Sequence, residues 1–171
     1  MTKKNKTLPI GFGGGCHWCT EAVFQSIIGV EKVEQGFIAS TDENKTFSEA
    51  VIVYYDPNLV SLDIFIEIHL ETHKSSSDHS MRNKYRSAIY TFSAKQQEDV
   101  ENRLEKYQEA AEKKIITQAM PFGEFKASDS MFQNYYQSNP EKPFCKTYID
   151  PKITLLLEKF QEYVNTERIY L

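Results

Sequence analysis

The order strand, helix, strand, strand, helix, strand along this chain predicts an α+β fold, a ferredoxin-like split β-α-β sandwich with a long C-terminal extension. Three observations carry that reading. Apolar residues recur at alternate positions in some segments and at helical spacing in others, and the two rhythms follow one another in that order. Glycine, proline and polar clusters punctuate the changes. At 171 residues the chain has room for one core, with no internal repeat and no composition break, so positions 1–171 read as a single domain.

Residues 1–6, with Lys3, Lys4 and Lys6, read as a flexible N-terminus. Thr7 to Phe12 is a short apolar strand running into Gly13-Gly14-Gly15. From Trp18 to Ile28 the residues Trp18, Ala22, Ile27 and Ile28 suit a helix closed by Gly29. Val30 to Ala39 alternates as a half-exposed strand. Glu49 to Tyr55 is β-branched and aromatic, and stops at Asp56-Pro57. Ser61 caps an amphipathic helix carrying Leu62, Ile64, Phe65, Ile68 and His69. After a Ser-rich loop, Tyr85 to Phe92 is the next strand, and Ser93 caps a charged helix reaching about Lys114. Ile115 to Phe125 reads as extended and Met131 to Gln137 as helical. Pro140 to Pro143 imposes an irregular passage to Cys145, and Pro151 opens a last helix to about Val164.

Composition narrows the function. A 40% hydrophobic and 13% aromatic content argues for a packed protein, and a net charge of −4 offers nothing that would draw nucleic acid or an anionic membrane. No apolar run approaches the roughly 18 residues of a membrane span, and none after the lysines suits a secretory signal, so a cytoplasmic protein is expected. Three cysteines do not build a secreted disulfide framework. Cys16 and Cys19 form a C-x-x-C, but Cys145 is the only other cysteine and no His-x-x-x-His completes a tetrahedral set. No metal is expected.

The chemistry concentrates in Gly13-Gly14-Gly15-Cys16-His17-Trp18-Cys19-Thr20-Glu21. Glycines let a strand reverse sharply and bring backbone close to a ligand. Cys16 then falls at or near a helix start, where unpaired N–H groups and the helix dipole favour thiolate over thiol. The plainer alternative, a buried cysteine in a tight turn, does not account for three consecutive glycines before it.

These residues resemble the signature of class A peptide methionine sulfoxide reductases, a Gly-Cys-Phe-Trp followed by Gly or Cys. The resemblance continues in family order through Ser48-Glu49-Ala50-Val51, Tyr55-Asp56-Pro57, Glu71-Thr72-His73, Tyr85-Arg86-Ser87-Ala88-Ile89-Tyr90, and Asn139-Pro140 leading to Cys145. It implies that a Cys16 thiolate attacks a methionine S-sulfoxide, peptide-bound or free. Methionine leaves, and Cys16 becomes a sulfenic acid. A second thiol then condenses with it, and an external dithiol, thioredoxin, reduces the disulfide without metal or organic cofactor. Oxidised proteins or free methionine sulfoxide would be the substrates. By the same resemblance Glu49 protonates the sulfoxide oxygen, kept protonated by burial against its apolar strand, and Tyr85 donates to that oxygen. His17 and Trp18 stand where the family binds the substrate's methyl group.

Several positions depart from the family pattern. His17 replaces a Phe and can be read as helping to ionise Cys16 or as spoiling an apolar methyl pocket. Between Gln35 and Glu49 no tyrosine matches the family's second oxygen-binding Tyr, since Phe37 and Phe47 lack a hydroxyl. The family's Gly-Asn-Asp segment becomes Ser77 to Lys84, and a later Ala-Glu...His-Gln stretch becomes Ser128-Asp129...Phe132-Gln133. Cys145 matches the recycling cysteine on a segment free to swing. Cys19, one turn from Cys16, is the alternative resolving thiol, but closing that short loop is expected to unwind the helix start. Two other function classes stay open: a C-x-x-C dithiol-disulfide oxidoreductase, for which Glu49 and Tyr85 would have no task, and a catalytically weak relative that binds methionine-rich peptides.

Overall fold

The computed structural model describes residues 6–171, so the expected flexible N-terminus lies, apart from Lys6, outside the described residues. The elements run β1 (Leu8–Gly13), α1 (His17–Gln25), β2 (Val30–Ser40), β3 (Ser48–Tyr55), α2 (Leu62–Thr72), β4 (Ala88–Thr91), α3 (Ala94–Ala110), β5 (Gln118–Ala127), α4 (Tyr135–Ser138) and α5 (Asp150–Lys159). Local chemistry explains several boundaries. Ser93 Oγ accepts the Gln96 N–H at 3.1 Å and starts α3 as expected. Ser61 stands at the N-cap of α2 but makes no side-chain capping bond. The last helix ends at Lys159, short of Val164, and a 3₁₀ turn over Gln161–Tyr163 follows.

Strands β4, β1, β3 and β2 lie side by side in that order, all antiparallel. The mixed α and β composition therefore stands, but the open face of a two-layer sandwich does not. β5 lies between β2 and β4, antiparallel to one and parallel to the other, and closes the sheet into a barrel. Part of the expected C-terminal extension is thus a stave of the barrel. Its sequence conceals this. Pro121 and Gly123 interrupt the segment, and only Met120 on it is buried, so no apolar alternation marks the strand.

Alternation along the other strands divides the core in two. Ala50 and Ile52 pack with Ile38, Ala88, Tyr90 and Met120 inside the barrel. Val51, Val53 and Tyr55 face outward to α1, α2 and the C-terminal helical segment. Glu49 shares the parity of Val51 and Val53, and pairs with Phe37 across the sheet. That parity turns it toward α1. The site forms where the end of β1, the start of α1 and this end of β3 meet.

Candidate active site

Cys16 is the N-cap residue of α1, with extended backbone (φ −58°, ψ 129°), and it is half-buried. The turn that delivers it is held from behind. Gly14 has φ +153°, and a Cβ there would stand 2.5 Å from His73 Cδ2, so the ring packs directly on the glycine. His73 bonds to Ser87 Oγ at 2.8 Å, and His69 Nε2–H donates to Gly13 O at 2.8 Å. Arg82 donates from one Nη to both Gly14 O and Tyr85 O, tying the loop before β4 to the glycine turn. Burial pushes His69 well below the ordinary histidine range and His73 down to about 4. Both are neutral struts at neutral pH.

The thiols are unequal. A hydrogen bond from the Cys19 thiol holds Cys16 below the usual thiol range. The Trp18 and Cys19 backbone N–H groups act in the same direction, against burial and the nearby Glu49 carboxyl. Cys19 is pushed far up by that same bond and by burial, so it remains a thiol. Because Cys16 stands outside the helical turn and its carbonyl accepts from Cys19 N–H at 3.1 Å, the two residues face each other across the first turn.

Cys145 is fully buried, begins a π-helical turn over Cys145–Ile149 that runs into α5, and its Sγ–H donates to Asn139 O at 3.6 Å. The segment is packed against the core, and burial raises its thiol. All three cysteines belong to one apolar cluster. Lys152, from α5, is bonded to Thr72 O; burial pushes it down, while Cys19 and Cys16 pull it up.

A cavity of about 590 Å³ opens on Cys16 and brings together His17, Trp18, Glu49 and Tyr85. It thus gathers most of the residues singled out in the sequence, leaving Cys19 and Cys145 behind its wall. Trp18 stacks on Tyr135 at 4.2 Å and 5° and lies 5.4 Å from Phe132, making an aromatic wall. Phe37, one of the hydroxyl-free residues of β2, lines the same space.

His17 points at Glu49 rather than at the thiol. Its Nε2 is 3.3 Å from Glu49 Oε1, its backbone N–H donates to the same oxygen at 3.4 Å, and Nδ1–H donates to Gly36 O at 2.8 Å. Glu49 is 6% exposed but not in purely apolar surroundings, because Lys84 Nζ lies 3.7 Å from its other oxygen. Lys84, Tyr135, Phe132 and Phe144 were not singled out as site residues. Phe132 and Tyr135 fall in a stretch expected to be helical, where aromatic residues read as packing, and Lys84 stands in a segment that departs from the family pattern.

No group of three His, Cys, Asp or Glu side chains among the described residues is placed to hold a metal ion. No helix among them is long and apolar enough to cross a membrane. The family model described as peptide methionine sulfoxide reductase matches residues 9–164. The peptide methionine sulfoxide reductase MsrA of Pasteurella multocida is 33% identical over 165 residues, covering 88% of this chain and 95% of its own. Methionine sulfoxide reductase A of Corynebacterium diphtheriae superposes with a TM-score of 0.69 at 27% identity, over 80% of this chain and 77% of its own. Mxr1 from Saccharomyces cerevisiae, solved in complex with Trx2, has the same fold at a TM-score of 0.58 and 21% identity, over 79% of this chain and 88% of its own.

Proposed function

The chain belongs to the peptide methionine sulfoxide reductase family, and from that premise we propose that it reduces methionine S-sulfoxide, peptide-bound or free, with Cys16 as nucleophile. The observation that carries the reading is the single cavity in which a thiol of lowered pKa, a buried carboxyl and an aromatic wall face the same space. The Cys16 thiolate takes the oxygen from the substrate sulfur, while Glu49 supplies the proton and Tyr85 steadies the oxygen. Trp18, stiffened by Tyr135, receives the methyl group. His17, placed among the substrate-binding residues by sequence, borders the cavity on its Glu49 side.

Cys19 resolves the sulfenic acid first, because it is the thiol hydrogen-bonded to Cys16. Attack of its sulfur on the Cys16 sulfur releases water and closes a C-x-x-C disulfide. Cys145 is the second acceptor: its thiolate attacks the Cys19 sulfur, moves the disulfide to Cys19–Cys145 and frees Cys16. Thioredoxin then reduces the enzyme, a reading supported by the yeast relative's complex with Trx2. Residues 1–171 act as one domain. Its first four strands, in the order β4-β1-β3-β2 with two crossing helices, support the ferredoxin-like description of that part.

The test is turnover without reductant. Up to two methionines should be released per chain, the second by the Cys16 thiol that the Cys19–Cys145 exchange frees, and none from C16S. Release unaffected in C16S would remove the thiol from the reaction. The Cys19–Cys16 hydrogen bond also favours a dithiol-disulfide oxidoreductase. Reduction of a protein disulfide such as insulin's, with no release of methionine from its sulfoxide, would establish that reading instead.

A further inference from the structure

We propose that His17 and Glu49 hold one proton jointly and that His17, acting through Glu49, is a positioning residue for the proton delivered to the sulfoxide oxygen. The inference rests on the sulfoxide-reductase reading above and deepens it. Gly36 O can only accept a hydrogen bond, so the 2.8 Å contact requires a hydrogen on His17 Nδ1. The other ring nitrogen, Nε2, is then a bare lone pair or a second N–H, and it lies 3.3 Å from Glu49 Oε1, at ion-pair distance. A lone pair there would stand beside a carboxylate that the His17 backbone N–H and Lys84 only partly offset, and both side chains are only 8% exposed, so water screens little of that repulsion. One proton between them removes the conflict, whether it is written as neutral imidazole with a carboxylic acid or as imidazolium with carboxylate.

The position is fixed from several sides. Phe37, opposite Glu49 in the sheet, packs edge-on against the imidazole at 5.2 Å and 69°. Gly36 permits the close approach of β5, where a Cβ would meet backbone of Lys126 and Ala127. The charged or titratable groups around the pair are Cys16 at the start of α1, Lys84 and Tyr85 from the loop before β4, Lys126 from β5 and Asp129 after it. Of these, Lys84 lies 3.7 Å from Glu49 Oε2, and favours the state in which the carboxylate carries the charge.

The proton balance is simple. The Cys16 thiolate forms a bond to the sulfoxide oxygen as the oxygen–methionine sulfur bond breaks. Cys16 sulfur loses two electrons, methionine sulfur gains two, and the single proton from the pair completes the sulfenic acid. The pair is left as neutral His17 beside a carboxylate, and solvent recharges it before the next turnover.

The experiment combines the pH profile of methionine release in a reductant-free single turnover with nitrogen NMR of the His17 ring. In the wild type the rate should fall on the alkaline side over the same pH range in which the Nε2 signal reports loss of the shared proton. H17Q and H17N, which cannot titrate, should move that fall to lower pH and release methionine about tenfold more slowly on the wild-type plateau, a loss equivalent to one pH unit of misplaced proton. An alkaline limb unmoved in both variants, or a His17 ring that titrates apart from the rate, overturns the joint proton. Wild-type enzyme releasing no methionine would sink the sulfoxide-reductase reading, and the NMR titration would still report separately on the pair.

Discussion

Removing the Cys19 thiol should raise the pH at which Cys16 becomes a nucleophile. The Cys19 hydrogen bond is the largest influence holding Cys16 low, ahead of two backbone N–H groups, and burial acts against all three. A hydrogen bond to a charged acceptor contributes about 1.5–3 kcal/mol net, and about 1.36 kcal/mol corresponds to one pH unit. C19A should therefore shift Cys16 ionisation upward by roughly one to two pH units. Below the new midpoint, the thiolate fraction and the single-turnover rate should fall by about tenfold or more. The assay is alkylation of Cys16 by iodoacetamide against pH, read in a C145S background so that C19A leaves one cysteine. C19S, whose shorter hydroxyl can still donate, should fall between. An alkylation midpoint in C19A within about 0.3 pH unit of its parent would mean that the backbone N–H groups alone hold the thiolate, and the pairing drawn here would be wrong.

Other outcomes follow from the same geometry. E49Q should lower the single-turnover rate by roughly 10²-fold or more, the range for a lost general acid; a change under about threefold would place the proton source elsewhere. G14A puts a methyl 2.5 Å from a His73 ring held at both nitrogens, and should cost about 1–3 kcal/mol in urea denaturation and slow turnover by displacing Cys16. Wild-type stability at G14A would mean that the ring is not fixed. His73 titrates near 4 folded, against about 6.5 unfolded, so it favours the fold fully above about 6.5 and that contribution is lost as pH falls toward 4. Denaturation midpoints should show a loss of about 3 kcal/mol over that window from this group, and H73Q should flatten the slope; an equal slope in H73Q would refute it.

Much of this was legible in the sequence, for identifiable reasons. Glycines before Cys16 and apolar spacing after it placed a strand-to-helix turn, because few sequences other than one folding in that way would concentrate glycine there. The strong period of β3 placed Glu49 at a strand end, and strand parity turned it toward α1. The sheet's closure was hidden, since Pro121, Gly123 and a mostly exposed face give β5 no alternation. The partner of His17 was hidden for a different reason. Its contact with Glu49 crosses 32 positions of chain, and only the pairing of β2 with β3, which sets Phe37 opposite Glu49, brings them together. The turn that holds Cys145 was hidden as well, because Pro140 and Pro143 mark an irregular passage, whereas the residues after them bury Cys145 and Ile149 in a π-helical turn. Spacing alone does not say whether Cys16 is the cap or the first turn, and only the fold places it at the N-cap.

The most direct test of the account is steady-state turnover of the two epimers of a methyl sulfoxide, as free methionine sulfoxide and within a peptide, with thioredoxin as reductant. The S epimer should be consumed with stoichiometric oxidation of thioredoxin, the R epimer should not, and C16S should consume neither. Turnover of neither epimer by the wild type, while thioredoxin still reduces its C-x-x-C disulfide, would contradict the central claim and leave a dithiol-disulfide exchange protein in its place.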